Sequence, residues 1–243
     1  MSKLIVANWK MQLSIEESLR LASKYNSGLA ISKHKVVVCP DFLSLPLISA
    51  SRFNENFLLG AQNSAVLDRG PLTGEVSVSS LSEIGVDYVI LGHSERRSVL
   101  LESDKEIRDK VAVALEAGLS VILCVGENKE ERKAKMSKQV VSRQVKSALK
   151  DTSSKKANKI IVAYEPVWAI GSGEPMSSLE AEKMAQYIKK ESLKYFNKPI
   201  KVLYGGSVDE NNSHDFLKQK NISGLLIGGA SLDIDKFLKI CQV

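Results

Sequence analysis

Eight short apolar runs, rich in β-branched residues, recur along a chain of 243 residues and limit what it can fold into. They are LIVAN (4–8), VVVCP (36–40), FLLGA (57–61), YVILG (88–92), VILCVG (121–126), IIVAYE (160–165), KVLYGG (201–206) and GLLIGG (224–229). Each is continuously apolar rather than alternating, the pattern of parallel strands covered on both faces. Helical periodicity fills the gaps. In 104–120, Ile107, Val111, Leu115 and Leu119 recur every fourth residue among charges, Asp104 is placed to cap the start, and Gly118 interrupts the end. Strand starts lie roughly 31 residues apart. An open doubly wound sheet usually holds fewer strands, so the expected fold is α/β, a closed (β/α)8 barrel. No linker-like stretch interrupts the series, so residues 1–243 read as a single domain.

That architecture directs attention to the residues just beyond each strand, because active sites of such barrels form at the carboxyl ends. They are Asn8 and Lys10, Gln62 and Asn63, His93, Glu127, Glu165, Ser207, and Gly228 with Gly229. Dispersed in sequence, they are expected to converge in space. Each has an ordinary alternative: Glu165 could cap a helix, His93 could be a satisfied turn residue, and Lys10 could be a surface cation. The glycine pairs in YGGSV (204–208) and LIGGAS (226–231) occupy the places where barrels often bind phosphate, since glycine lets backbone N–H groups approach an anion. A carboxylate base, an imidazole, a cation and a phosphate grip suit proton abstraction next to a carbonyl, without a metal or other cofactor.

Composition removes other classes. Apolar residues make up 44% and charged residues 26%, as in a globular protein with a substantial core. No apolar run approaches the roughly 18 residues that span a bilayer, and the N-terminal run is too short for a signal peptide. We therefore expect a cytoplasmic protein with no membrane association. Cys39, Cys124 and Cys241 are far apart and lack metal-ligand spacing. The net charge of +6 is spread along the chain, and its densest lysine group, 128–138, is mixed with glutamates, so no nucleic-acid partner is expected. GHS (92–94) opens like a hydrolase nucleophile elbow, but Arg96 stands where that motif needs glycine. A silent phosphate-binding barrel would lack the base or the imidazole, and both are present.

The segments ANWKM, GAQN, GPLTGEVS, LGHSERR, ILCVGE, AYEPVWAIGSG, YGGSV and LIGGASL lie in the order and at about the intervals of the triosephosphate isomerase family, and the resemblance covers the whole chain. It implies reversible interconversion of dihydroxyacetone phosphate and D-glyceraldehyde 3-phosphate through an enediol(ate), in glycolysis and gluconeogenesis. It also implies roles for residues. Glu165 would shuttle a proton between two carbons, and His93 would polarise the carbonyl and move protons between the oxygens. Lys10 would supply positive charge, Asn8 would place the substrate, and Glu95 would stand beside the lysine with a part in proton movement. Backbone N–H groups of Gly171, Ser207, Gly228 and Gly229 would hold phosphate. Pro166, Val167, Trp168, Ala169, Ile170, Gly171, Ser172, Gly173, Glu174, Pro175 and Met176 would form a mobile lid, latched by Tyr204 and Ser207. Thr73, Gly74 and Glu75 would tip a loop that reaches a second subunit, making a homodimer.

Departures from the family pattern are Ser172 in place of threonine, the Glu174-Pro175-Met176 hinge, and Leu100-Leu101 in place of Phe-Gly. Proline restricts its own φ and biases the residue before it, so the hinge change bears on lid opening. Within GHSERR, Ser94 is expected to cap the following helix or orient its neighbours, Glu95 to support Lys10, and Arg96 and Arg97 to form ion pairs with a partner such as Glu102.

Overall fold

A computed structural model describes residues 2–29, 32–51, 57–170 and 175–243. Eight parallel strands close on themselves in sequence order: β1 (Leu4–Asn8), β2 (Lys35–Cys39), β3 (Phe57–Ala61), β4 (Tyr88–Leu91), β5 (Ser120–Val125), β6 (Ile160–Tyr164), β7 (Lys201–Tyr204) and β8 (Gly224–Ile227). β1 closes the ring by pairing with both β2 and β8, Leu4 lying opposite Lys35 and Gly224. The expected (β/α)8 barrel is present, and every expected strand agrees with an observed one to within two residues at either end.

Among the described residues, ten α-helices accompany the strands: α1 (Ile15–Gly28), α2 (Leu45–Ala50), α3 (Val78–Glu83), α4 (Ser94–Ser98), α5 (Asp104–Glu116), α6 (Lys129–Lys133), α7 (Ser137–Leu149), α8 (Ser178–Ser192), α9 (Ser213–Leu217) and α10 (Ile234–Gln242). α5 shows how local chemistry sets their limits. Its N-cap is Ser103, not Asp104: the Ser103 hydroxyl accepts from the Glu106 N–H, and Glu106 reaches back to the Ser103 N–H at 2.8 Å. That reciprocal box satisfies two otherwise unpaired helix donors and places Asp104 in the first turn. Ile107, Val111, Ala114 and Leu115 form the buried stripe of α5. Gly118, at φ +85°, supplies the left-handed turn into β5.

Side chains alternate across each strand, and the two faces serve different cores. Ile5, Ala7, Val36, Val38, Val121 and Leu123 pack outward against the helices. Leu4, Val6, Val37, Ile90, Ile122, Cys124, Ile161, Ala163, Leu203 and Leu226 fill the barrel interior. The inward parity then carries on past the strands. Leu4 and Val6 lead to Asn8, Ile161 and Ala163 lead to Glu165, and Leu226 leads to Gly228. The same alternation that fills the barrel delivers these residues to its mouth.

Candidate active site

A cavity of about 480 Å³ opens at the carboxyl end of the barrel, and its lining includes Asn8, Lys10, His93, Glu165, Ser207, Gly228 and Gly229. Of the residues chosen from strand ends, those after β1, β4, β6, β7 and β8 thus line one cavity, while Gln62, Asn63 and Glu127 do not line it. Of the expected phosphate donors, Gly171 lies outside the described residues, as do the lid residues Ser172, Gly173 and Glu174. Glu95, although not part of the lining, joins the site through Lys10.

Glu165 is almost fully buried. Its N–H donates to the Val125 carbonyl at 2.8 Å, continuing the β5–β6 ladder one residue past the strand. That close approach needs Gly126, where a Cβ would overlap the Glu165 carbonyl oxygen. One carboxylate oxygen, Oε1, lies 3.1 Å from His93 Nε2, and the other accepts the Ser94 N–H at 3.0 Å. The Cys124 thiol provides a further hydrogen bond. Burial pushes the carboxyl pKa up, but attraction to His93 and these hydrogen bonds outweigh it and leave the acid below its ordinary value. Glu165 is therefore held as a carboxylate, ready to accept a proton.

His93 caps α4, its Nδ1 accepting the Glu95 N–H at 3.3 Å. Of the two roles expected of Ser94, the cap falls instead to the imidazole, while the Ser94 backbone N–H holds its neighbour Glu165. With Nδ1 accepting, the neutral ring carries its proton on Nε2, facing Glu165. Burial alone would lower the imidazole pKa, as would Lys10, yet Glu165 chiefly and Glu95 secondarily raise it above the ordinary value. The pair is thus mutually stabilised while nothing lies between its members.

Lys10 has a left-handed backbone, φ +54°, unusual for a residue with a side chain. Two polar anchors hold it: its N–H donates to Asn8 Oδ1 at 3.1 Å, and its carbonyl accepts from Gln62 Nε2 at 2.8 Å. The ammonium group lies 2.5 Å from Glu95 Oε1, so Glu95 supports Lys10 as expected. The lysine stem passes Gly228 in ordinary contact, and a Cβ there would lie 3.6 Å from Lys10 Cε. Gly205 does leave room for Glu165, since a Cβ there would lie only 3.0 Å from Glu165 Cγ.

The arginines separate in role. Arg96 pairs with Glu102 at 3.3 Å, as expected. Arg97 turns elsewhere, to Asp104 at 2.6 Å, the Gly92 carbonyl at 2.8 Å and the Cys124 carbonyl at 3.2 Å. It thereby ties the ends of β4 and β5 to α5 beneath Glu165 and His93.

Some working residues escaped the sequence reading. Glu127 stood among the strand-end residues but received no role. Fully buried, it accepts from Tyr164 Oη at 3.1 Å and from Trp168 Nε1 at 3.0 Å, while its carbonyl accepts the Val167 N–H at 3.1 Å. Arg132 stacks 3.7 Å above the Trp168 ring. The first hinge segment, Val167–Ala169, is therefore moored by one carboxylate from the connection after β5 and one guanidinium from α6. On the other side, the buried Tyr204 side chain places its hydroxyl beside the Met176 backbone. Cys124 and Gln62 were likewise read without roles, since a thiol in an apolar run and an amide after a strand carry no local signal of what they touch.

A triosephosphate isomerase family model matches residues 3–243. A triosephosphate isomerase of Treponema denticola is 44% identical over 240 residues, covering 97% of this chain and 96% of its own. One from Aquifex aeolicus is 42% identical over 247 residues, covering 99% and 98%, and one from Idiomarina loihiensis is 38% identical over 248 residues, covering 99% and 97%. With the closed barrel, the strand-end carboxylate and imidazole, and these full-length likenesses, the chain belongs to the triosephosphate isomerase family.

Proposed function

We propose that Glu165, His93, Lys10 and Asn8 carry the isomerisation that the family performs, with the backbone of Ser207, Gly228, Gly229 and Gly171 holding the substrate phosphate. The reaction is the interconversion of dihydroxyacetone phosphate and D-glyceraldehyde 3-phosphate, an aldose–ketose isomerisation. The observation that carries the residue assignment is the Glu165–His93 contact at 3.1 Å, in a cavity that ends on two bare glycines.

In this reading substrate enters between the two side chains. The Glu165 carboxylate takes the C1 proton of the ketose, and the C1–H electron pair becomes the C1–C2 double bond. The former carbonyl oxygen becomes an enediolate oxygen facing His93 Nε2–H and the Lys10 ammonium. After protons exchange between the two oxygens through His93, Glu165 returns its proton to C2. Separating the pair also shifts the imidazole toward its neutral form: without the adjacent carboxylate, burial and Lys10 are opposed by Glu95 alone, and the neutral ring donates from Nε2 without delivering a full charge. Purified protein that fails to interconvert the two triose phosphates in a coupled assay would overturn the reading.

The pH behaviour of His93 tests the electrostatic part separately. In Glu165→Gln, the largest influence raising the imidazole pKa is removed while burial and Lys10 remain, so the pKa falls from its raised value. Imidazole nitrogen shifts followed against pH in both proteins report the change. An unchanged titration would mean that Glu165 does not govern His93.

Residues 166–176 act as a lid in this proposal, its first hinge held by the Trp168–Glu127 contact and its second lying at Met176 beside Tyr204. Closure excludes water from the enediolate. A homodimer and cytoplasmic residence belong to the same reading, as does an undivided domain over residues 1–243. Support for the dimer comes from large apolar side chains left exposed on loops that follow four adjacent strands: Met11 after β1, Leu43 after β2, Leu67 and Leu72 after β3, and Val99, Leu100 and Leu101 after β4. The loop carrying exposed Thr73, Gly74 and Glu75 projects from this same side. An apolar set of this kind marks an interface. A Met11→Lys/Leu101→Lys variant is expected to sediment as a monomer with activity reduced at least tenfold. A variant that sediments like the parent would place the interface elsewhere. Nucleic acid and membranes have no part in this function; among the described residues no helix is long and apolar enough to cross a membrane.

A further inference from the structure

The inward parity that carries Asn8 and Glu165 to the mouth also runs backwards, to the other end of the barrel. Stepping back from Val37, Ile161 and Leu203 by two residues gives Lys35, Lys159 and Lys201. Lys3 precedes β1, and Lys220 stands four residues before β8. Lysines from five separate strand approaches thus gather around the amino-terminal mouth. Such a gathering is costly for the fold alone, because like charges brought together repel.

Between them lies a second cavity, of about 330 Å³, remote from the catalytic one. Its charged lining is Lys3, Lys35, Lys201 and Lys220, with the half-buried Tyr88 as floor and Ser223 at the side. No carboxylate lines it. None of these four lysines forms an ion pair among the described residues. Lys3 is held in place by the carbonyls of Ile222, at 2.5 Å, and Gln219, at 3.3 Å, which orient the ammonium without neutralising it. Lys159 is likewise bound to the Gly118 carbonyl, beside an adjoining cavity that also contains Asp87 and is lined by Lys35 as well. Burial chiefly, and the nearby Lys189, lower the Lys3 pKa, with Glu182 opposing them.

The geometry points to an anion site at the amino-terminal mouth of the barrel, in which Lys3, Lys35, Lys201 and Lys220 bind a short condensed phosphate. Multiple adjacent negative charges match a ring of unpaired cations, and Ser223 and Tyr88 supply hydroxyl donors. The cavity is concave, and Tyr88 is its only aromatic residue. That favours a compact polyanion over a nucleic-acid strand, which would need a track with stacking platforms. The inference does not depend on the catalytic reading, since the two cavities share no residue.

Inorganic tripolyphosphate is the probe. Calorimetric titration at moderate ionic strength, with and without saturating triose phosphate, separates the two mouths. The expected result is a binding event that triose phosphate does not displace. In Lys35→Gln/Lys201→Gln/Lys220→Gln that event weakens at least tenfold, while kcat and KM of isomerisation stay within twofold of the parent. All three replaced side chains are exposed, so the variant is expected to unfold at the parent's temperature, and the unchanged kinetics confirm its integrity. Raising the salt should weaken the wild-type event steeply, as charge pairing requires. Complete displacement by triose phosphate, an unaltered affinity in the triple variant, or tighter binding of single-stranded RNA than of tripolyphosphate overturns the proposal.

Discussion

Glu165→Gln is expected to lower kcat by roughly 10²–10⁴, a loss of about 3–5 kcal/mol in transition-state stabilisation, with a much smaller change in KM. The amide keeps the shape of the carboxylate and can still accept from the Ser94 N–H, which now lies 3.0 Å from Oε2. It cannot accept a carbon-bound proton. The substitution therefore separates holding from chemistry. Because Glu165 is buried against His93, the variant is expected to fold and to retain the site for the phosphate. Steady-state kinetics in both directions check the prediction, with triose phosphate binding measured independently. A variant that retains a tenth or more of the parental kcat would remove Glu165 from the role of base. The loss predicted here is only part of the catalytic total, since the donors facing the enediolate and the exclusion of water remain intact.

The largest expected effect on stability lies nearby, in a polar cluster that touches no substrate. Lys110 on α5 is buried, and its ammonium donates to Glu102 and, at 3.0 Å, to Asn63 Oδ1. Glu102 is buried too, and Arg96 is its other cationic partner. One cation thus ties the loop after β3 and the loop after β4 to the helix beneath them. Lys110→Met keeps much of the stem's apolar contact and strands the Glu102 carboxylate, whose Oε2 already lacks a hydrogen bond. Removing one partner of a buried pair costs about 3–5 kcal/mol, and at this chain length each kcal/mol moves the melting midpoint by roughly 2–4 °C. Replacing Glu102 by Leu in the same chain should recover much of the loss, since the desolvation cost disappears with the charge. Denaturant unfolding of the single and double variants tests both statements. A cost below 1 kcal/mol for Lys110→Met would show that Glu102 is adequately served by Arg96 alone.

These two clusters differ in how far the sequence revealed them. Glu165 could be singled out because its strand and its position after the strand are both local properties. Lys110 could not. In the helix repeat it reads as one more charge between apolar positions, and only the packing of α5 against the β3 and β4 loops shows that it is buried. Glu127 lies between these cases. Its place after β5 was legible, but its partners Tyr164 and Trp168 arrive from the next strand and the loop beyond it. Ser94 shows the opposite failure. Serine before a helix is a good local cap, yet His93 takes that position, leaving the Ser94 N–H free to face the base.

The sequence by itself determined the barrel and its strand limits to within two residues. Strand composition and side-chain alternation are short-range consequences of backbone geometry, and closing eight strands leaves little choice of which ends meet. Only the tertiary structure decided the pairings: Glu165 with His93 and Cys124, Arg97 with Asp104, Lys110 with Glu102 and Asn63. Such contacts depend on angles and distances between elements that no local pattern records. GHSERR illustrates the division. Its place at the end of β4 was legible from the run before it. That its histidine faces a carboxylate from β6, its serine backbone holds that carboxylate, and its second arginine braces β5 followed only once the sheet had closed.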